Sequence, residues 1–270
     1  MSEHAIICPS CKQLINRSTI RCPNCGWSNN KLSRLVYSFG EHTIVKWLIS
    51  LNIFFFLVSI ILSYIFAKSG FISKLGILSP SSPILLVMGW ADPYEALNGS
   101  YWQLLSSIFL HGGFFHILFN MMWLYHLYPQ NESLLGKHNT FFIYIFCGIG
   151  GSVLAALLGS SPVVGASGAI FGLMGSLVGA ARYSNDWAIK FFSSRYTTLM
   201  IILLIIGFIM PGISNLSHLG GAGTGYILGS WLARVNLAKK YQVFLVWLSV
   251  GLTATSLFFI FKRILTILFF

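Results

Sequence analysis

The sequence predicts an all-α protein that crosses a membrane several times, preceded by a small separate domain. Of the 270 residues, 56% are hydrophobic and only 9% are charged, a balance not found in soluble globular domains. The apolar residues form runs long enough for membrane-spanning helices, and four of the five cysteines lie among the first 25 residues. The net charge of +11 does not indicate a nucleic-acid partner, because basic residues in such a protein mainly mark cytoplasmic loops.

Residues 1–30 form the predicted small domain. Its cysteines stand in two Cys-Pro-x-Cys turns, a spacing that suits tetrahedral zinc and resembles zinc ribbons. So short a domain has no core of its own, so the metal would supply most of its folding free energy. A redox dithiol and two disulfides are the alternatives. We expect structural zinc, held by Cys8, Cys11, Cys22 and Cys25.

Seven spans are predicted after a basic linker over residues 31–43. The long stretch 68–101 contains Pro, Trp and Tyr residues typical of a membrane interface and is not a span. The first six spans form a predicted core over residues 44–235, and the seventh belongs to an additional segment, 236–270. The predicted spans are 44–67, 102–128, 140–158, 165–181, 197–210, 215–235 and 241–261.

The distribution of basic residues predicts the orientation. With the amino terminus in the cytosol, thirteen of the seventeen Lys and Arg residues lie on the inner side. This orientation also keeps the four clustered thiols in a reducing compartment, where a metal site outlasts disulfides. We therefore expect a multi-pass protein of a bacterial inner membrane, with its carboxyl terminus outside and a cytosolic partner for the small domain.

Polar residues from three predicted spans fall at one depth in the outer half of the membrane. Polar side chains there are costly unless they face one another or water. Each alone has an ordinary explanation, since a serine can bond to its own helix and a histidine can be a packing contact. Their shared depth favours a functional cluster, made of His111, His116, Asn120, Ser167 and His218.

Two members of this cluster suggest nucleophilic catalysis. Ser167 is flanked by glycine and alanine at the start of a helix, and His218 opens a run with glycines at every fourth position. Such glycines let two helices approach closely, so the serine and histidine can meet as nucleophile and base. None of the six acidic residues lies in a predicted span. A Ser-His dyad without a buried acid is therefore the natural interpretation.

Three motifs resemble those of rhomboid intramembrane serine proteases. They are the stretch from Trp102 to Asn120, which includes His111-Gly112-Gly113 and His116, the run Gly165-Ala166-Ser167-Gly168, and His218 with its glycines. The resemblance covers about residues 44–235. It implies a six-helix core in which Ser167 is the nucleophile and His218 the base. It also implies that His116, Asn120 and the Ser167 amide line an oxyanion hole, with no cofactor for catalysis.

Two positions depart from the family pattern. Gln103 stands where the family usually has an arginine after Trp102, and Phe171 stands where some members have a tyrosine. Phe171 can still stack on the imidazole of His218, although it lacks a hydroxyl group. Gln103 cannot make the contact that the family arginine makes, but the predicted catalytic residues do not depend on that contact.

The sequence thus predicts an intramembrane serine endopeptidase that cleaves transmembrane substrates near their outer ends. The resemblance implies substrate entry beside the fifth span. A non-proteolytic rhomboid-like binder of membrane helices is the alternative, and loss of Ser167 or His218 would mark it. A transporter or channel would need ionisable residues through the whole membrane depth, a pattern that the predicted spans lack.

Overall fold

The computed structural model describes part of the chain as follows: residues 5–8, 14–16, 19, 21–26, 43–67, 79–210, 212–235 and 239–269. The chain divides into two compact units, Met1–Lys46 and Trp47–Phe270. Cys11 and all but the last residue of the predicted linker 31–43 lie outside the described residues.

The smaller unit contains a short β-hairpin next to its cysteines. Strand β1, Ala5–Ile7, pairs antiparallel with strand β2, Leu14–Asn16. Cys8 follows β1 directly, and the Gly26 amide donates to the Cys22 carbonyl oxygen at 2.9 Å, closing a second turn. Two strands of three residues are not stable by themselves in water, so this unit needs a further source of folding free energy.

Helix α1, Thr43–Ala67, matches the first predicted span. Its buried Asn52 is accommodated because the side-chain amide donates to the Leu48 carbonyl oxygen at 2.7 Å. Near its end, Ser63 accepts a hydrogen bond of 2.9 Å from the Ser81 amide. Helix α1 is therefore joined to the start of the next described part of the chain.

The stretch 79–113, called the connecting segment from here on, contains only short helices. These are α2 (Ser82–Met88), α3 (Pro93–Leu97), α4 (Gln103–Ser106) and a 3₁₀ turn (Ser107–Phe109). Asp92 caps α3 by accepting from the amides of Tyr94 and Glu95, at 3.0 and 3.1 Å. The connecting segment is therefore a series of short helices and does not form one long membrane-spanning helix.

The prediction of one helix over 102–128 is wrong in its first third. The helical stretch Gln103–Phe109 meets helix α5, Phe114–Leu135, at an angle of 93°. Leu110 and Gly113 have extended backbone, which interrupts the helical hydrogen bonds. Because Gly112 and Gly113 are poor helix formers, this break is where the chain turns. His111 therefore lies in the bend and not in a helix.

Five further helices complete the larger unit. Helix α8 begins ten residues before the predicted start at 197, and it takes Lys190 and Arg195 into its first turns. The guanidinium of Arg195 lies over the Phe191 ring, 4.5 Å from its centroid, which accommodates that charge beside apolar neighbours. Helix α10 likewise runs beyond 261. The helices are α6 (Lys137–Leu158), α7 (Ser167–Ala181), α8 (Trp187–Ile209), α9 (Asn215–Arg234) and α10 (Lys239–Phe269).

The larger unit is a polytopic all-α membrane protein. Among the described residues, α1, α6, α8 and α10 are long and apolar enough to cross a membrane. The helical stretch Gln103–Phe109 and helix α5, taken together as one bent span, are a fifth candidate. Helix α7 is apolar but shorter, with 15 residues. Helix α9 occupies the sixth predicted span but is rich in Gly, Ser and other polar residues. Each predicted span thus contains a helix, although length and composition identify only some of these helices as membrane-spanning.

Helices α7 and α9 run parallel and touch backbone to backbone. The contacting positions rise in the same order along both helices, which fixes their relative direction. Glycine permits this approach because it has no side chain to separate the two backbones. A Cβ atom on Gly221, Gly225 or Gly229 would overlap the carbonyl oxygens of Gly168, Gly172 and Ser176, respectively.

Helix α5 runs parallel to α7, and α6 runs the opposite way. The His116 ring lies against Gly165 near the start of α7, and Asn131 donates to the Leu173 carbonyl oxygen at 3.2 Å further along. On α6, Gly151 lies against Gly168 while Cys147 lies against Gly172. Helices α5, α7 and α9 therefore begin at the same end of the bundle, as expected for the second, fourth and sixth spans.

The charge bias predicts which end faces outward. Tyr94 in α3 and Asn185 after α7 are both exposed, and they lie on opposite predicted sides. We expect an impermeant thiol reagent to label Tyr94→Cys in intact cells and Asn185→Cys only after permeabilisation. The unsubstituted chain gives the background from the native cysteines. Labelling in the reverse order would overturn the predicted orientation.

Candidate active site

Ser167 is the first residue of α7 and follows a tight turn. Gly165 has a φ of +118°, in the left-handed region that side chains other than hydrogen rarely adopt. Its amide donates to the Ser107 carbonyl oxygen at 2.9 Å. The turn therefore needs glycine at this position, and a hydrogen bond from the connecting segment holds it.

A second contact holds the chain just before this turn. Ala91 and Val163 form an isolated antiparallel bridge, with N–H···O distances of 2.9 and 3.0 Å in the two directions. Both residues are buried. The connecting segment thus fixes the approach to Ser167 at two places, Val163 and Gly165.

His218 lies in the first turn of α9, opposite Ser167. The Ser214 side chain caps this helix by accepting from the Ser217 amide at 3.3 Å. The Ser167 Oγ and the His218 Nε2 are 2.9 Å apart, a hydrogen-bond distance. With Nε2 unprotonated, the imidazole accepts the serine proton, which is the arrangement of a nucleophile and its general base.

Phe171 fixes the plane of the His218 ring. The two rings stack with centroids 4.1 Å apart and planes 6° from parallel. Phe171 lies one turn after Ser167 on the same helix, so one helix carries both Ser167 and the surface on which the His218 ring packs. The expected stacking of Phe171 on the imidazole is present.

The other ring nitrogen of His218 has no carboxylate partner in the described part of the chain. Its Nδ1 is buried and lacks a hydrogen bond to any described residue. The four acidic residues that the structure describes, Asp92, Glu95, Glu132 and Asp186, lie elsewhere. A Ser-His dyad without a buried acid therefore stays a prediction, and these described residues offer no carboxylate partner for it.

His116 lies against the turn that precedes Ser167. A Cβ atom on Gly165 would come 2.5 Å from His116 Nε2, so the ring packs directly on the glycine. The Gly112 amide donates to His116 Nδ1 at 3.4 Å. Because Nδ1 accepts this bond, a neutral His116 ring carries its proton on Nε2. Nε2 is then a donor that faces the turn at Gly165.

Asn120 lies one turn after His116 on the same face of α5. Its Nδ2 donates to the His116 carbonyl oxygen at 2.8 Å, and its Oδ1 is buried without a hydrogen bond to a described residue. The amide nitrogen carries two protons, so one remains for another acceptor. The structure gives no direct contact between Asn120 and Ser167.

His111 is completely buried beside His116. The rings meet edge to face with centroids 5.0 Å apart. Neither ring nitrogen of His111 hydrogen-bonds to a residue that the structure describes. Its position in the bend, behind His116, makes it a support for that ring and not a direct neighbour of Ser167.

Gln103 ties the connecting segment together at the position where an arginine was expected from the resemblance. Its Nε2 donates to Glu95 Oε2 at 2.7 Å, and its Oε1 accepts from the Asp92 amide at 3.3 Å. Gln103 is buried. The sequence analysis missed this network, although Asp92-Pro93-Tyr94-Glu95 is typical of a helix start and would have predicted α3.

Three of the four predicted metal ligands lie together in the smaller unit. The sulfur atoms of Cys8, Cys22 and Cys25 all lie within 4.8 Å of one another, and Cys8 Sγ is 3.7 Å from Cys25 Sγ. A tetrahedral site with zinc–sulfur bonds of about 2.3 Å has sulfur–sulfur edges of about 3.8 Å. A disulfide needs about 2.05 Å. The donor set and spacing therefore fit zinc, which would serve to fold this unit.

Comparison with known proteins gives a consistent result. Residues 98–235 match the family model described as Rhomboid domain. RHOMBOID-like protein 4 of Arabidopsis thaliana is 38% identical over 160 residues, which are 57% of this chain and 40% of that protein. YdcA of Bacillus subtilis (strain 168) is 33% identical over 170 residues, 60% of this chain and 84% of YdcA. Rhomboid protease GluP of the same organism is 30% identical over 154 residues, 57% of this chain and 30% of GluP.

The matches do not extend over the whole of the plant relatives. The matched region is 40% of RHOMBOID-like protein 4 and 51% of RHOMBOID-like protein 5. Residues 1–97 and 236–270 lie outside the family-model match. The cysteine cluster and helix α10 are therefore features of this chain beyond the matched domain.

The cysteine cluster predicts a defined metal content. We expect the purified chain to carry about one zinc ion per polypeptide, and Cys8→Ser and Cys22→Ser to lose it, because three remaining thiolates leave a tetrahedral site incomplete. Elemental analysis of the detergent-purified protein measures this. Cys147→Ala is the matched control, since Cys147 is buried in α6 and is not one of the predicted ligands. Zinc that persists in Cys8→Ser would contradict the assignment.

Proposed function

This chain belongs to the rhomboid family, and we propose that it is an intramembrane serine endopeptidase. It is an integral multi-pass membrane protein, and its family includes a relative named as a protease. The proposed activity is cleavage of transmembrane substrates near their outer ends. Because this chain covers 40% to 51% of the plant relatives named above, its own activity is inferred from its residues.

One observation carries the proposal: Ser167 Oγ lies 2.9 Å from His218 Nε2. In the proposed reaction His218 takes the Ser167 proton as the hydroxyl oxygen attacks the scissile carbonyl carbon. His218 then gives that proton to the departing amine as the carbon–nitrogen bond breaks. Water then attacks the resulting acyl ester, with His218 taking its proton, and the bond between the acyl carbon and Ser167 Oγ breaks as His218 returns that proton to Oγ. Phe171 keeps the imidazole plane fixed through both steps.

The proposed oxyanion hole surrounds the turn before Ser167. His116 Nε2 faces that turn, and the Ser167 amide lies at the amino end of α7, where backbone amides and the helix dipole favour negative charge. Asn120 has one amide proton beyond its bond to the His116 carbonyl oxygen. These donors would stabilise the tetrahedral oxyanion without a metal or other cofactor.

The proposed substrate is a transmembrane helix that reaches the site from the side. With the predicted orientation, α5, α7 and α9 all begin at the outer side, so the site opens toward the water that deacylation requires. Helix α8 has almost no buried residues between Ile189 and Ile209, in agreement with substrate entry beside it. Helix-breaking residues in the substrate would expose its carbonyl group at that depth.

A non-proteolytic membrane-helix binder is the second candidate. Such a binder would not need a serine and a histidine at hydrogen-bond distance. This chain has both, and Phe171 stacks on the histidine ring. We therefore place proteolysis first. For the small domain we propose a zinc-dependent docking module for a cytosolic partner, with no part in the chemical step.

The dyad predicts non-additive losses. We expect Ser167→Ala and His218→Ala each to reduce cleavage of a model transmembrane substrate by about 10³-fold or more, and the double variant to be no worse. Fluorophosphonate labelling should also disappear in Ser167→Ala. The exposed Ser161→Ala and His138→Ala are the matched controls and should cleave normally. Cleavage by Ser167→Ala at the normal rate would exclude the serine protease.

The oxyanion donors predict a smaller effect on a single step. We expect His116→Ala and Asn120→Ala to lower kcat by about 10²- to 10³-fold with KM nearly unchanged, because these groups bond mainly to charge that develops in the transition state. Steady-state kinetics in detergent separates the two parameters. A rise in KM with normal kcat would instead assign these residues to substrate binding.

A further inference from the structure

Helix α10, which lies outside the matched domain, packs against α6 and against α2 and α4 of the connecting segment, and one of these contacts is an aromatic pair. The rings of Phe259 and Trp102 stack, with centroids 5.4 Å apart and planes 19° from parallel. Trp102 immediately precedes α4. Stacked aromatic pairs of this kind contribute beyond the area that they bury, so this contact is a defined attachment.

Trp102 is also packed on the backbone at Gly89. A Cβ atom on Gly89 would overlap the indole ring, and Ser106 donates to the Gly89 carbonyl oxygen at 2.5 Å. Gly89 ends α2, two residues before Ala91. The Trp102 ring therefore packs against the chain two residues before Ala91.

Ala91 leads from this packing to the nucleophile. It forms two backbone hydrogen bonds with Val163, at 2.9 and 3.0 Å, and Val163 lies four residues before Ser167. Ser107, which directly follows α4, accepts the hydrogen bond of Gly165 at 2.9 Å. Two routes of direct contact thus lead from Trp102 to the turn that presents Ser167.

Helix α10 also contacts α1 through aromatic rings. The Phe261 ring lies 5.7 Å from the Phe55 ring and 6.3 Å from the Phe54 ring, centroid to centroid. Along α10, Ser256, Ile260 and Ile264 are buried and four residues apart, so they form one helical face. Helix α10 therefore has a fixed face toward the protein, and it packs mainly against α6 and also against the connecting segment.

We propose that α10 is a positioning element for the reaction and that Phe259 acts through Trp102 to set the geometry of the Ser167 turn. Phe259 itself touches neither Ser167 nor His218, so it is a positioning residue and not a catalytic one. Small displacements of a nucleophile reduce its reactivity steeply, by about a hundredfold for 1 Å. This inference rests on the proposed protease function.

The test compares full-length variants that change one ring. Phe259→Ala removes the stacking partner, Phe259→Tyr keeps it, and Phe244→Ala removes an exposed ring from the same helix as the matched control. Each variant is purified in detergent and studied below its unfolding temperature. The readouts are the rate of fluorophosphonate labelling of Ser167, kcat and KM for a model transmembrane substrate, and hydrogen exchange of residues 89–109.

We expect Phe259→Ala to lower both the labelling rate and kcat by about tenfold, with KM changed by less than about twofold. Amides in residues 89–109 should exchange faster, because the segment has lost one attachment. Phe259→Tyr should restore all of these values, and Phe244→Ala should match the unsubstituted protein. Adding Phe259→Ala to Trp102→Ala should cause no further loss, since both act through one contact.

Two results would overturn the proposal. One is normal labelling and normal exchange in Phe259→Ala. The other is an equal loss in Phe244→Ala, which would make the effect a general destabilisation of α10. Failure of the protease function is distinct, because the unsubstituted protein would then not be labelled at all. Hydrogen exchange would still report whether Phe259 holds the connecting segment.

Discussion

The close contact between α7 and α9 is the constraint on which the candidate site depends. Gly221 and Gly225 face carbonyl oxygens of α7, and any side chain at either position would push the two helices apart. Ser167 begins one of these helices and His218 lies in the first turn of the other. Their 2.9 Å separation is therefore a direct consequence of backbone contact between the two helices.

The connecting segment is the second structural element on which the site depends. It does not cross the bundle as a helix, and its short helices are joined by side-chain bonds such as that of Gln103 to Glu95. Its backbone hydrogen bonds to Val163 and Gly165 hold the turn before Ser167 in place. Because irregular backbone has polar groups to satisfy within a membrane, these bonds stabilise the segment and orient the site together.

The polar residues are divided between two tasks. Asn52 and Asn131 bond to backbone carbonyl oxygens within and between helices, as buried amides in apolar surroundings must. His116 and His218 instead face the turn at Ser167, and one ring nitrogen of His218 bonds to no described residue. A buried polar group with few partners is costly. Under the proposed function, the substrate would supply the missing partners of these side chains.

The sequence by itself determined the membrane class and a helix within each predicted span, because apolar runs are local patterns. The Ser167 and His218 motifs are also local, and they predicted the residues of the candidate site. The sequence did not predict the 93° angle of the bend near His111, because Gly112 and Gly113 permit a break in the helix without specifying its angle. It also did not predict the start of α8 at Trp187, because the first turns of this helix contain the basic residues Lys190 and Arg195. The stacking of Trp102 on Phe259 is equally invisible in the sequence, where 157 positions separate the two rings. Only the tertiary structure decided the bend angle and this ring contact, because neither is specified by residues that are neighbours in the chain.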